Sequence, residues 1–235
     1  MIQLSGVSKV YSNGAVGLDN VNINIEKGEF VFLTGSSGSG KSTLLKTLYK
    51  EVEPDKGSII VNGKNVTRMG RKQVPYLRRD IGMVFQDFRL LPQKTVYDNV
   101  AFAMEIVGAS KKQIRKKVPS VLGRVGLAPK ARCYPDELSG GEQQRTGLAR
   151  AIVNDNPIVI ADEPTGNLDP ATALDIMNAL LEINKHGVTV IVATHEREIV
   201  NQLRKRVIEL KDGQVIKDKY EGGYDDEDYD SPLYV

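Results

Sequence analysis

Two stretches of this chain carry residue types that act on phosphates. The first is Gly35-Ser36-Ser37-Gly38-Ser39-Gly40-Lys41-Ser42, which matches GxxxxGK[ST]. Its glycines let the backbone curl so that N–H groups converge on phosphate oxygens. A helix that follows adds the positive end of its dipole. Lys41 would supply a cation to β- and γ-phosphates, Ser42 a hydroxyl ligand to Mg²⁺, and Thr43 an α-phosphate contact. Composition alone produces such a match in roughly one chain of this length per hundred. An apolar run before it and a helical pattern after it make the match specific.

The second stretch is Asp162-Glu163, which ends the apolar run 158–161. Open α/β sheets place ligands at the carboxyl ends of their strands. Asp162 there would hold Mg²⁺ through its water shell. Glu163 would polarise a water that attacks the γ-phosphate, acting as general base. Alone, two acids at a strand end are more often solvated surface; the phosphate loop upstream reverses that reading.

These groups need a scaffold that brings residues 35–43 and 162–163 together. The alternation in 2–10 and 18–26 predicts half-buried antiparallel strands. Apolar runs at 30–34, 81–85, 158–162 and 188–193 predict buried strands. Helical spacing predicts helices over 41–50, 96–107, 111–125, 141–154, 170–185 and 196–204. Pro119 is expected to start or kink a helix rather than sit in its middle. Gly57 and Gly63 bracket a short strand at 58–61. Two more strands flank the Asp212-Gly213 turn. The fold class that follows is α/β, a P-loop core interrupted by a helical subdomain at about 87–154. One domain spans 1–219. The stretch 220–235, with Glu221, Asp225, Asp226, Glu227, Asp228 and Asp230 and no base, is expected to be a disordered tail.

Between the two phosphate-handling stretches lies Leu138-Ser139-Gly140-Gly141-Glu142-Gln143-Gln144-Arg145. With the phosphate loop and the strand ending in Asp162, this run makes the chain resemble the ABC ATPases over about 1–218. The resemblance implies a RecA-like core with an N-terminal antiparallel β subdomain, and ATP and Mg²⁺ as ligands. It implies that Ser139 and the backbone of Gly140 and Gly141 meet the γ-phosphate of ATP held by a second copy, so that the working unit is a homodimer with ATP between subunits. Gln86 falls at the family's Q-loop, where the glutamine touches Mg²⁺ or the water. His195 matches the switch histidine, Tyr11 the aromatic that stacks on adenine, and Asp169 the D-loop acid. Asn167 departs from the serine that many members carry there. His186 has no such context.

Within the family, 162–169 resembles the subgroup that holds the lipoprotein releasers of LolD type, the exporters of MacB type and the cell-division branch, and 74–79, 81–92 and 95–101 are most similar to the cell-division branch. That resemblance implies an integral membrane partner of FtsX type, docked near 86–101 and controlling peptidoglycan hydrolases. It also implies peripheral attachment to the cytoplasmic face of a bacterial membrane. The alternative is the ATPase motor of a LolD- or MacB-like exporter. ABC proteins acting on DNA or ribosomes usually carry two nucleotide domains or a long coiled-coil insertion; this chain has one phosphate loop and a compact helical stretch.

The bulk properties agree. The formal net charge of +2 gives no general pull toward nucleic acid, and none is expected as a partner. No apolar run approaches the roughly 18 residues that span a bilayer. The single cysteine, Cys133, excludes an internal disulfide and fits a reducing compartment. Basic clusters at Arg68, Arg71, Lys72, Arg78, Arg79 and at Lys111, Lys112, Arg115, Lys116, Lys117 read as solvated faces, with anionic lipid as the alternative.

Overall fold

The structure, a computed structural model, describes residues 1–221. The chain opens with β1 (Ile2–Val10) and β2 (Val16–Ile25), antiparallel neighbours with buried and exposed residues alternating along them. With β4 (Lys56–Val61) and β5 (Lys64–Asn65) they form a four-stranded sheet in the order β2-β1-β4-β5.

The second sheet holds the short apolar runs. β3 (Phe30–Thr34), β6 (Ile81–Phe85), β7 (Ile158–Asp162), β8 (Thr189–Ala193) and β9 (Arg206–Lys211) run parallel, and β10 (Gln214–Lys219) pairs antiparallel with β9. The order is β10-β9-β3-β8-β7-β6. Strands buried on both faces read as continuous apolar runs. Their register aligns the exits: Phe85 faces Asp162, Asp162 faces Ala193, and Ala193 faces Leu33. The segments after β3, β6, β7 and β8 therefore leave from one edge.

Each face of this sheet carries its own core. Val31, Leu33, Ile158, Ile160 and Ile191 pack toward α1 (Lys41–Leu48) and the small sheet. Phe32, Val159, Ala161, Val190 and Val192 pack on the opposite face with α3 (Val96–Ile106), α4 (Lys111–Arg124), α5 (Gly140–Ile152), α6 (Pro170–Lys185) and α7 (Arg197–Leu203). A one-turn helix, α2 (Val74–Arg78), precedes β6.

Several boundaries differ from the sequence reading. β2 begins two residues earlier, α1 ends two residues sooner, and the two-residue β5 has no alternation to announce it. Pro119 does not start a helix: it sits inside α4, which runs on either side of it. Pro119 and Arg115, whose carbonyl loses its N–H partner there, both lie on the exposed face, where water can take that carbonyl. Ile114, Val118, Val121 and Leu122 stay buried along the other face. The Ser110–Gln113 capping box fixes the start of the helix. Of the predicted tail, 222–235 lies outside the described residues; the Tyr220 ring sits 4.6 Å from the Arg206 guanidinium. Among the described residues no helix is long and apolar enough to cross a membrane.

Candidate functional site

The phosphate loop is the turn from β3 into α1. Gly35 (φ +133°) and Gly40 (φ +108°) hold backbone that side-chain-bearing residues rarely adopt. A Cβ on Gly35 would lie 2.2 Å from the Leu210 carbonyl, and one on Gly40 2.4 Å from the Gly17 carbonyl. The loop is thus wedged between the β9–β10 hairpin and the start of β2. Gly213 donates its N–H to the Ser39 carbonyl at 3.0 Å and accepts from the Asp19 N–H at 2.8 Å. Gln214 Nε2 donates to Asp19 Oδ2 at 2.6 Å. Lys41, 8% exposed, curls back so that Nζ donates to the carbonyls of Gly35 (2.6 Å) and Ser36 (3.0 Å). The Ser39 hydroxyl is buried with no partner. Oriented N–H groups, a cation and an orphaned hydroxyl make a cradle that fits a phosphate chain.

The other exits converge on the same place. A cleft of about 690 Å³ is lined by Tyr11, the loop from Ser36 through Thr43, Gln86, Glu163 and His195. Gly35 is buried behind this lining, and Asp162 is half-buried at the end of β7. Burial, then the negative charge of Glu163, pushes the Asp162 carboxyl above its ordinary range, while Lys46 and Lys41 pull it down. Glu163 has φ +48°, a left-handed conformation for a residue with a side chain. His195 Nδ1 lies 2.8 Å from Glu163 Oε2. Gln86 Nε2 would stand 3.0 Å from a Cβ on Gly166, so the turn after β6 meets the turn after β7. The Ser42 hydroxyl, the Gln86 amide oxygen and the Asp162 carboxylate are hard oxygen donors suited to Mg²⁺ completed by phosphate and water. Tyr11, just past the end of β1, closes the cleft, its hydroxyl 3.0 Å from Thr43 Oγ1.

Ser139, Gly140, Gly141 and Asp169 do not line this cleft. Ser139 caps α5: its Oγ accepts from the Glu142 N–H (3.3 Å), and Glu142 Oε2 accepts from the Ser139 N–H (2.9 Å). That N–H, then a hydrogen bond from Lys130, holds the Glu142 carboxyl below its usual range. A Cβ on Gly141 would fall 2.4 Å from Thr172 Cγ2, so α5 packs closely on α6 at this glycine within one copy. Asp169 caps α6, accepting from the Thr172 N–H (3.0 Å) and hydroxyl (2.6 Å). His186 ends α6, its Nδ1 2.7 Å from the Glu182 carbonyl. Cys133 is free and half-buried against the helical core.

Three contributors are given no role from the sequence. Gly17 leaves room for Tyr11 and Thr43: a Cβ there would sit 2.8 Å from the Tyr11 ring and 2.9 Å from Thr43 Cγ2. Gln144 reaches from α5 to the Pro164 carbonyl. Arg150, near the end of α5, donates to the carbonyls of Phe88 (2.8 Å) and Arg89 (2.5 Å), both at positive φ, and so holds the segment after Gln86. Arg150 also lines a groove of about 480 Å³ with Arg78, Met83, Phe85, Ala103 and Ile106. Tyr76 (58% exposed) on α2 and Ile106 (61% exposed) on α3 add apolar surface at the two sides.

Four parallel-strand exits around one phosphate cradle, with a capped signature helix outside it, define a nucleotide-binding cassette. The family model for ABC transporters matches residues 18–166, and the chain belongs to that family. Cell division ATP-binding protein FtsE of Mycobacterium tuberculosis (strain ATCC 25618 / H37Rv) is 52% identical over 225 residues, 95% of this chain and 98% of that protein. FtsE of Bacillus subtilis (strain 168) is 51% identical over 224 residues, again 95% and 98%. The solved dimeric structure of MJ0796, a bacterial ABC transporter cassette, superposes with a TM-score of 0.85 at 38% identity and covers 95% of this chain and all of that one.

Proposed function

We propose that this chain is the ATP-hydrolysing subunit of an FtsEX-type complex. Two copies close on ATP and drive a membrane partner of FtsX type that controls peptidoglycan hydrolysis in cell division. The observation that carries this reading is identity of about half with FtsE proteins along nearly the whole chain. The groove between α2 and α3, next to the segment held by Arg150, is the docking surface for that partner, and attachment to the membrane is peripheral.

The substrate is ATP. Tyr11 stacks on the adenine, largely by dispersion. Gly35 through Thr43 hold the phosphates. Lys41 leaves its two carbonyl partners for the β- and γ-phosphates. Ser42, Gln86 and Asp162 would hold Mg²⁺, which would neutralise charge building on the phosphate oxygens. Glu163 takes a proton from water as oxygen bonds to the γ-phosphorus and the bond to the β–γ bridging oxygen breaks, giving ADP and phosphate. His195 orients Glu163 and meets the γ-phosphate. Ser139, Gly140 and Gly141 supply dipole and N–H groups to the ATP of the other copy, which suits a reaction governed by positioning and electrostatics. Asp169 lies at the interface between copies.

Purification from solubilised membranes tests the partner. A co-purifying protein with four predicted spans and one large extracellular loop supports the reading. A partner with a long periplasmic arm replaces it with an exporter motor, and recovery with ribosomes alone overturns both.

A further inference from the structure

Helix α5 carries one polar side chain where its stripe should be apolar. Gln144 is 0% exposed and shares a face with Gly141, Leu148 and Ile152. Its Nε2 donates to the Pro164 carbonyl at 2.6 Å, and its Oε1 is buried without a partner. Burying an amide costs free energy unless its hydrogen bonds are made. A methionine would fill a similar volume and leave no orphan on its own side chain. The residue type is therefore explained by the bond to Pro164.

That bond acts on the Pro164–Thr165 peptide, one residue beyond Glu163. Pro164 has no N–H and can be held only through its carbonyl. Glu163 at φ +48° is in a left-handed conformation that the surroundings must enforce. Among the described residues, other ties on this turn are the Glu163 N–H to the Ala193 carbonyl (2.9 Å), the Gly166 N–H to the Glu163 carbonyl (3.3 Å), the Leu168 N–H to the Thr165 carbonyl (2.9 Å), Thr165 Oγ1 to Glu196 and Glu163 Oε2 to His195 Nδ1 (2.8 Å). Of these partners, Gln144 is the one that comes from α5. It lies five residues from Ser139, about 7.5 Å along the axis.

We propose that Gln144 is a positioning residue for Glu163. It holds the turn that aims the carboxylate into the cleft, and it ties that aim to the helix whose N-terminus presents Ser139. The inference rests on the reading of Glu163 as general base.

Steady-state ATPase assays on the full chain test it, with three variants beside the wild type. Gln144→Met removes the donor at similar volume; kcat is expected to fall about tenfold or more while KM for ATP stays within about twofold, as for a misaimed group with binding intact. Gln144→Glu places a carboxylate against the Pro164 carbonyl when ionised and an O–H donor there when protonated. Its kcat relative to wild type should rise as the pH is lowered from about 8 toward 5, while the Gln144→Met ratio stays flat. A folded Gln144→Met variant with kcat within twofold of wild type overturns the proposal, as does KM rising in step with the loss. A pH-independent ratio for Gln144→Glu overturns it even if the methionine variant fails to fold. Glu163→Gln separates the two levels. If it is inactive, any failure above concerns Gln144 alone; if it is active, the base assignment falls and the proposal with it.

Discussion

His195 Nδ1 and Glu163 Oε2 lie 2.8 Å apart although the residues leave different strands, β8 and β7. With Glu163 ionised the bond fixes the proton on Nδ1, and Nε2 becomes the ring nitrogen left for other contacts. His195→Ala is expected to lower kcat on the order of 100-fold, within the range of a group that orients a general base. His195→Asn, whose amide can still donate to Glu163, should keep more activity than alanine. Equal loss in the two variants would argue against the orienting role.

Ser139→Arg places a long cation at the helix end proposed to meet the other copy's ATP. ATP binding to the single copy should persist, while ATP-induced dimers and hydrolysis disappear together. Size-exclusion chromatography with ATP, run beside the ATPase assay, checks this. Normal turnover in the variant would remove the trans role of the signature run.

The capping box predicts a pH-dependent contribution to stability. Because the Ser139 N–H lowers the Glu142 carboxyl in the folded state, its contribution is present above the unfolded value of about 4.3 and is lost as pH falls through the depressed folded value. Glu142→Ala should melt below wild type at neutral pH, with the gap closing as the solution is acidified. Melting curves across that range decide it; a gap that widens toward acid contradicts the assignment.

Gly17→Ala should displace the Tyr11 ring, which would stand 2.8 Å from the new methyl. A loss of about 1 kcal/mol of ring contact corresponds to a rise of roughly fivefold in the Kd for ATP. Fluorescence titration measures it, and an unchanged Kd would place adenine away from Tyr11.

Much of this organisation is legible in the chain because the decisive elements are buried on both faces. β3, β6 and β7 match their apolar runs to the residue, and α6 is announced by Asp169 before Pro170. Other features depend on neighbours distant in the chain. Pro119 is tolerated because its face of α4 is exposed. Gly17 is constrained by Thr43, and Arg150 by carbonyls some sixty residues away. Gln144 did leave a signal: helical phase sets it on the stripe of Gly141, Leu148 and Ile152, where a glutamine is out of place. Gly141 reads in sequence as a point of approach for phosphate; its close packing on Thr172 within the copy is visible only in the fold.

The wedging of the phosphate loop by the β9–β10 hairpin has a consequence for how the protein is made. The motif residues of the loop emerge early in synthesis, yet the carbonyl and N–H that brace them belong to Leu210 and Gly213. β9 is also the direct sheet neighbour of β3. A chain released before residue 206 would carry every recognisable nucleotide motif and lack the brace that shapes the first of them. Competence to bind ATP should therefore be acquired only after residues 206–214 have left the ribosome and β9 has paired with β3.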